Sequence, residues 1–459
     1  MPSRTPEIMD RIFPPAALLA GLALVLAVAP LRAQESPARQ NLRVFLDCQG
    51  YMPGCDFDFF RTSIDWVDWV RDRQDADVHV LVTTQPTGAG GQQYTLNLIG
   101  RGRFDGRSDT LTYNAAPAAP RDEQRHRLGN TMELGLAPFA ARTSVAPRLR
   151  ISMVETEGGE EAEAQTSPEH DPWNYWVFRI NGNSFFQGES SYTFVNLGGG
   201  FSATRVTPGW KLGFRISGNY SQNRYRLSTG NTTTFQRSYY LNTLTAKSLS
   251  PHWSAGLVSS TSTSTYSNYD LTVRVAPGVE YDLFPYSEST RRQLTFLYTL
   301  GLHYYNYTEP TVFRKLEDRL VDQTLNVSLD LRQPWGSVSI GTQGTQYVNW
   351  SPGPDAPAEL QSETSKYRIS VFGSTSIRLV KGLSVNMFVN YDRVHDQFAL
   401  PAGGATDEEI LLRLRQLQTD YRYFGSIGLS YTFGSIHNNV VNPRFNAYDS
   451  GGGQTVIIN

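Results

Sequence analysis

Beyond residue 33 the sequence has no apolar run near the roughly 18–20 residues that a membrane-spanning helix needs. Mean hydropathy is −0.38, too polar for a helical membrane bundle. Neither sign of charge is in excess: 41 Lys and Arg stand against 43 Asp and Glu, a net charge of −2. That balance removes the electrostatic case for a nucleic-acid partner. Cysteine is nearly absent. Cys48 and Cys55 are the whole complement, and no His or further Cys lies near enough to make them a metal pair. In an exported chain, two such residues read as one disulfide. It would close the loop Gln49-Gly50-Tyr51-Met52-Pro53-Gly54, where Gly and Pro supply the turn. The seven histidines (His79, His126, His170, His252, His303, His395, His437) are scattered, and no two have metal-ligand spacing on one element. Gly88-Ala89-Gly90-Gly91 lacks a following Lys-Ser/Thr and reads as a hairpin turn, not a phosphate loop. No metal or cofactor is expected, and no enzyme.

Aromatic residues, by contrast, are abundant: 24 Tyr, 23 Phe and 8 Trp. Tyr and Trp suit the boundary between a bilayer and water. The N-terminus carries Arg4 and Arg11, an apolar run from Ala16 to Ala29, and Leu31-Arg32-Ala33. This reads as a signal peptide over 1–33, cleaved after Ala33, with a short membrane anchor as the alternative.

Residues 40–153 read as a small α+β domain. Strands are expected at Leu42–Leu46, Ala76–Thr84, Gln93–Gly102, Ser108–Tyr113 and Arg148–Val154. Phe59, Phe60, Ile64, Val67 and Val70 recur at helical spacing, so a helix is expected over Asp56–Asp72. A second is expected over Arg121–Leu136. Asp75-Ala76-Asp77-Val78-His79-Val80-Leu81-Val82, followed by a hairpin and a helix, is similar to the N-terminal domain of the Tol-system propeller protein. It is also similar to related domains in periplasmic assembly lipoproteins. The resemblance implies a periplasmic binding module without catalysis. Residues 154–172 form an acidic linker: Glu155, Glu157, Glu160, Glu161, Glu163 and Glu169 resist burial.

From Trp173 onward the texture becomes alternating. Strands are expected near 173–186, 190–206, 209–225, 233–248, 252–265, 269–284, 291–306, 320–333, 336–349, 364–380, 383–396 and 419–433. Turns after the even-numbered strands are short. Connections after the seventh, ninth and eleventh are long: Thr308–Arg319, Ser351–Glu363 and Gln397–Gln418. That asymmetry, an even strand count and an apolar/polar alternation point to a twelve-stranded antiparallel up-and-down transmembrane barrel over 173–433. Pro277 falls inside a strand, where a bulge is expected. A soluble sandwich would instead pack the apolar faces against a second layer.

The last strand carries a further signal. Ser426-Ile427-Gly428-Leu429-Ser430-Tyr431-Thr432-Phe433 alternates throughout. Ser426, Gly428, Tyr431 and Phe433 resemble the C-terminal assembly signal of bacterial outer-membrane β-barrel proteins. The resemblance implies an outer-membrane location, contact with outer-membrane lipid, and recognition by the barrel-insertion machinery. Family members end at the final aromatic, whereas this sequence continues through a Gly- and Asn-rich tail, 434–459. That tail either hangs in the periplasm or folds back under the barrel.

Expected lumen charges are Arg215, Arg274, Arg332, Arg368, Arg378 and Arg422 against Glu280, Asp282, Asp330 and Asp392. They either line a pore for small solutes or pair across the lumen and brace it shut. A twelve-stranded outer-membrane phospholipase pattern does not fit. His303 is followed by Tyr304-Tyr305-Asn306 with no Ser in place. Two functions remain: a small-solute pore or transporter with a periplasmic binding domain, or a non-conducting anchor. In the latter the periplasmic domain would bind an envelope protein or a peptidoglycan-associated partner.

Overall fold

The computed structural model describes residues 41–439, apart from 50–51, 53, 89, 151–170, 228–229, 364, 404–415 and 438. The expected signal peptide, the glutamates of the linker and the tail beyond 439 lie outside the described residues.

The first body is a five-stranded sheet with two helices. Its elements are β1 (Leu42–Cys48), α1 (Phe57–Ser63), β2 (Val67–Trp69), β3 (Val78–Pro86), β4 (Gln92–Gly100), β5 (Ser108–Ala115) and α2 (Arg121–Ala140). The order is β2-β1-β3-β4-β5, with β2 and β3 both parallel to β1. One sheet face carries Val44, Leu46, Val78, Val80, Val82, Leu96 and Leu98, all buried under Phe60, Leu128, Met132 and Leu136 of the helices. Cys48 and Cys55 form a disulfide.

Two expectations fail in this region. The helix expected over Asp56–Asp72 ends at Ser63. The Asp56 carboxylate accepts from Phe59 N at 3.0 Å and starts it. Val67 and Trp69 then enter β2 and pair with Leu42 and Val44. Their spacing fits a strand as well as a helix, and burial in the sheet decides between them. Of the strand expected over Arg148–Val154, the described residues 148–150 are not in a strand. Residues 146–148 make a short 3-10 turn, and 151–154 lie outside the described residues.

The second body is a twelve-stranded antiparallel sheet in sequence order. Its first half is β6 (Trp176–Gly188), β7 (Tyr192–Val206), β8 (Trp210–Leu227), β9 (Gly230–Ser248), β10 (Trp253–Ser264) and β11 (Tyr269–Asp282). Its second half is β12 (Arg292–Tyr307), β13 (Glu317–Gln333), β14 (Gly336–Tyr347), β15 (Lys366–Val380), β16 (Leu383–His395) and β17 (Tyr421–Tyr431). Every expected strand is present, within a few residues of its expected ends. The sheet is not closed into a barrel. Each strand pairs with its sequence neighbours, and β6 and β17 have no mutual pairing. The bulge expected at Pro277 is also absent. Val275 pairs with Leu302 and Gly278 with Thr299, so the register passes through unchanged and the ladder to β12 skips Ala276 and Pro277.

The pairing assigns every side chain to one of two faces. One face runs from Ile180 through Leu197, Phe214, Val275, Leu300, Leu325, Ile340, Ile369 and Val389 to Ile427. Among the described residues no second protein layer covers it: Ile180 is 84% exposed, Ile427 79% and Leu302 60%. Among the described residues, no helix is long and apolar enough to cross a membrane.

Candidate functional site

The polar face of the large sheet gathers the charges. All ten residues expected in the lumen fall on it by register. Arg215 lies opposite Ser202 and Asn242. Asp330 lies opposite Ser339, and Arg422 opposite Asp392.

Most of these residues are paired. The Arg274 guanidinium donates to both Asp322 carboxylate oxygens, at 3.2 and 2.9 Å, and to Thr299 at 3.2 Å. His303 Nε2 lies 2.6 Å from the same carboxylate, and the Thr324 hydroxyl donates to it at 2.7 Å. Asp322 is fully buried, so three side chains, through four hydrogen bonds, compensate one desolvated carboxylate. Gly301 makes room for it: a Cβ there would sit 1.9 Å from Asp322 Oδ2. Arg368 pairs with Asp396 at 3.1 Å, and Arg422 with Asp392 at 3.2 Å. Asp392 also accepts from Ser370, Asp330 from Ser339 at 2.6 Å, and Glu280 from Tyr286 at 2.9 Å. Asp282 is fully buried and accepts from the backbone N–H groups of Phe284 and Leu294.

At the long-loop end of β12–β16 an aromatic cluster covers these pairs. Tyr305, Tyr307, Phe313, Trp350 and Phe398 are buried together. Phe398 meets Tyr305 and Tyr347 edge-on at 5.2 Å each. The Lys366 ammonium lies 4.7 Å from the rings of both Phe313 and Trp350 and pairs with Glu363. The polar face of β6–β10 is different at mid-strand. It presents Asn181, Asn183, Gly198, Gly200, Ser202, Ser217, Asn219, Ser260 and Ser262.

Two charges expected in the lumen, Arg332 and Arg378, leave the sheet and grip the small domain. Both lie at the short-turn ends of their strands. Arg378 Nη1 and Nη2 donate to the two Asp47 oxygens at 2.6 and 2.7 Å. Arg332 donates to the Thr84 carbonyl at 2.8 Å. Gln49, inside the disulfide loop, donates to the Gln333 carbonyl at 2.8 Å. Lys381 pairs with Asp75 at 2.5 Å, and Gly382 N donates to Asp72 at 2.8 Å. The turn needs Gly382: its φ is +75°, and a Cβ would fall 2.1 Å from the Thr432 carbonyl. On the far side of the sheet, Arg179 of β6 donates to the Gly90 carbonyl at 3.0 Å.

The small sheet meets these groups with its helix-free face, which holds Asp47, His79, Leu81, Thr83, Thr95 and Asn97. A helix-free face of a lone domain would be wet; here His79 and Thr83 are fully buried and Asp47 is 2% exposed. Burial pushes the Asp47 carboxyl up. Hydrogen bonds from His79 and Arg378 and their charges outweigh it and hold the group at about 2. Burial and the nearby Arg378 and Arg101 push His79 below its ordinary value, against the pull of Asp47. The neutral ring can then donate from Nε2 to Asp47, 3.3 Å away.

The residues of the expected assembly signal lie at the end of the large sheet. Ser426 and Gly428 are on its polar face, and Tyr431 stacks on Phe433 at 5.6 Å on the exposed face. The chain after Phe433 turns back to the small domain. Arg71 N donates to Ile436 O at 3.0 Å, His437 bridges Val70, and Trp69 N donates to Asn439 Oδ1 at 2.8 Å. Ile436, His437 and Asn439 thus meet the small domain beside β2, and the rest of the tail beyond 439 lies outside the described residues.

Among the described residues, no three His, Cys, Asp or Glu side chains are placed to hold a metal. Sequence reasoning missed Asp47, Asp322 and Lys366. Asp322 shares the parity of Asp330 and Arg332 on β13, so its face was legible; its charged and imidazole partners, Arg274 and His303, come from β11 and β12. The chain matches no protein-family model and no curated protein.

Proposed function

We propose that the twelve-stranded sheet closes on itself as an outer-membrane β-barrel with the α+β domain on the periplasmic side, and that its interior passes small polar solutes. One observation carries this reading. Twelve strands share an uncovered apolar face and an opposite face of charges and small polar groups. Water does not tolerate so large an apolar surface on a monomer, whereas hydrocarbon does. Closure follows from the edges. β6 and β17 are exposed edges of 13 and 11 residues, apolar on one side, the kind of edge that soluble proteins avoid. With an even strand number they run antiparallel to one another and can pair. The domain supports this too. Twelve strands laid flat would separate the edges by about 50 Å. A domain of about 100 residues has a radius of gyration near 13 Å. Yet it touches β6 through Arg179 and the end of β17 through Arg71, so the sheet has to curl.

The Gly-, Ser- and Asn-rich interior of β6–β10 leaves room for a narrow wet path beside the filled half. The alternative of a non-conducting anchor draws on the seated domain, which stands across one end of that path. Outer-membrane lipid and the insertion machinery are the partners that the barrel reading requires. The test is fractionation with gel mobility: the chain should sediment with outer membranes and migrate faster unheated than boiled. A soluble chain with heat-independent mobility overturns the reading.

A further inference from the structure

Taking the barrel reading as its basis, we propose that the α+β domain is a lid on the barrel mouth, latched by the Arg378–Asp47 pair and opened when that latch is released. The small sheet lies over the polar side of the large one. Its contacts run from β6 (Arg179 to Gly90) through β13 and β15 (Arg332 to Thr84, Arg378 to Asp47) to the turn before β16 (Lys381 to Asp75). Arg332 and Arg378 belong to the inward face of the strands, so what they hold sits over the opening and not beside it. The covering face is polar. His79 Nδ1, Thr83 Oγ1 and Asn97 Nδ2 are buried on it without a hydrogen-bond partner. Such groups are costly in a permanent interface and natural in one that wets when it opens. A permanent contact would favour apolar residues at these positions.

The latch is local and strong. A bidentate guanidinium–carboxylate pair is the most directional ionic contact that side chains make. Removing one partner strands the other in a buried place, which shifts the balance toward the open arrangement. Asp47 adjoins the disulfide at Cys48, and Gln49 inside that loop grips the β13–β14 turn. The loop therefore holds the latch in register.

Ion conductance of the full-length chain in planar bilayers, with potassium chloride as the probe, tests the lid. Wild-type protein should conduct little. Arg378→Ala should raise conductance roughly tenfold or more, the population shift expected on losing a buried pair. Adding Asp75→Cys and Lys381→Cys to that variant should return conductance to the wild-type level when the two thiols are joined by a bifunctional thiol crosslinker with an internal disulfide. Reduction should release it, with wild-type protein in the same reductant as control. Gel mobility reports insertion separately. Inserted Arg378→Ala that conducts like wild type overturns the lid and leaves the barrel standing, as does an intact tether without effect. A wild-type chain that does not insert overturns both.

Discussion

Arg378 and Asp47 are separated by 331 residues and meet through two hydrogen bonds of 2.6 and 2.7 Å. The arginine guanidinium also lies 5.2 Å from the Phe45 ring. One side chain thereby joins the fifteenth strand to the first. Replacing it with alanine leaves Asp47 desolvated beside a neutral histidine. We expect a loss of about 3 kcal/mol in docking of the small domain. Amide exchange should report it as weaker protection of β1 and β3, with β11–β14 unchanged.

Acid should act on the same contact, in two windows. His79 has a folded pKa below its ordinary 6.5. Its neutral form is the one that fits, so stability is lost as pH falls below about 6.5, where the unfolded ring takes a proton and the folded one does not. Asp47 moves from 3.8 to about 2. Its contribution, on the order of 2 kcal/mol, is present above about 4 and disappears as pH falls towards 2. Denaturant midpoints between pH 8 and pH 2 should fall in both windows. Asp47→Asn should shrink the lower one, leaving the part due to Asp77, whose carboxyl Arg43 and Arg103 also hold below its ordinary value.

Leu300 lies at mid-strand on the exposed face of β12, and Asn219 at mid-strand on the polar face of β8. If the outer face meets hydrocarbon, Leu300→Arg should cost about 2–4 kcal/mol when folding is measured in lipid vesicles. Asn219→Arg should stay within about 1 kcal/mol. Equal effects would remove the distinction between the faces.

Gly301 has no space for a methyl group. The nearest atom, Asp322 Oδ2, is held by Arg274 and His303. Gly301→Ala should therefore break a buried network, not shift a free side chain. A destabilisation of about 3 kcal/mol or more is expected, seen as a lower temperature for loss of the compact gel form.

Opening the disulfide should loosen one corner. A loop of about eight residues corresponds to roughly 2.5 kcal/mol of chain entropy. Cys48→Ser with Cys55→Ser should lower the thermal midpoint of the small domain and increase proteolysis near Gln49, while β12–β15 keep their protection.

The large sheet was legible because its code is short-range. Leu325, Val327 and Leu329 against Asn326, Ser328 and Asp330 declare a strand and both its faces within a few residues. What failed to read was long-range. Val67 and Val70 look helical until β1 lies alongside to pair with Val67 and Trp69. Arg378 looks like one more lumen charge, because nothing near residue 378 reveals Asp47. Asp322 was overlooked although its parity was plain, since its importance lies in partners from β11 and β12. An edge strand's partner is not legible either: β17 carries an apolar row, but a row does not name its neighbour.

Ile436, His437 and Asn439 join the chain just past its final long strand to the residues of and beside β2, while Lys381 and Arg378 hold the neighbouring side through ion pairs. Backbone seams outlast ion pairs when salt rises. On the β17 side the small domain is thus held by contacts that salt screens least. A protease cut between 151 and 170 would leave two fragments that still travel together.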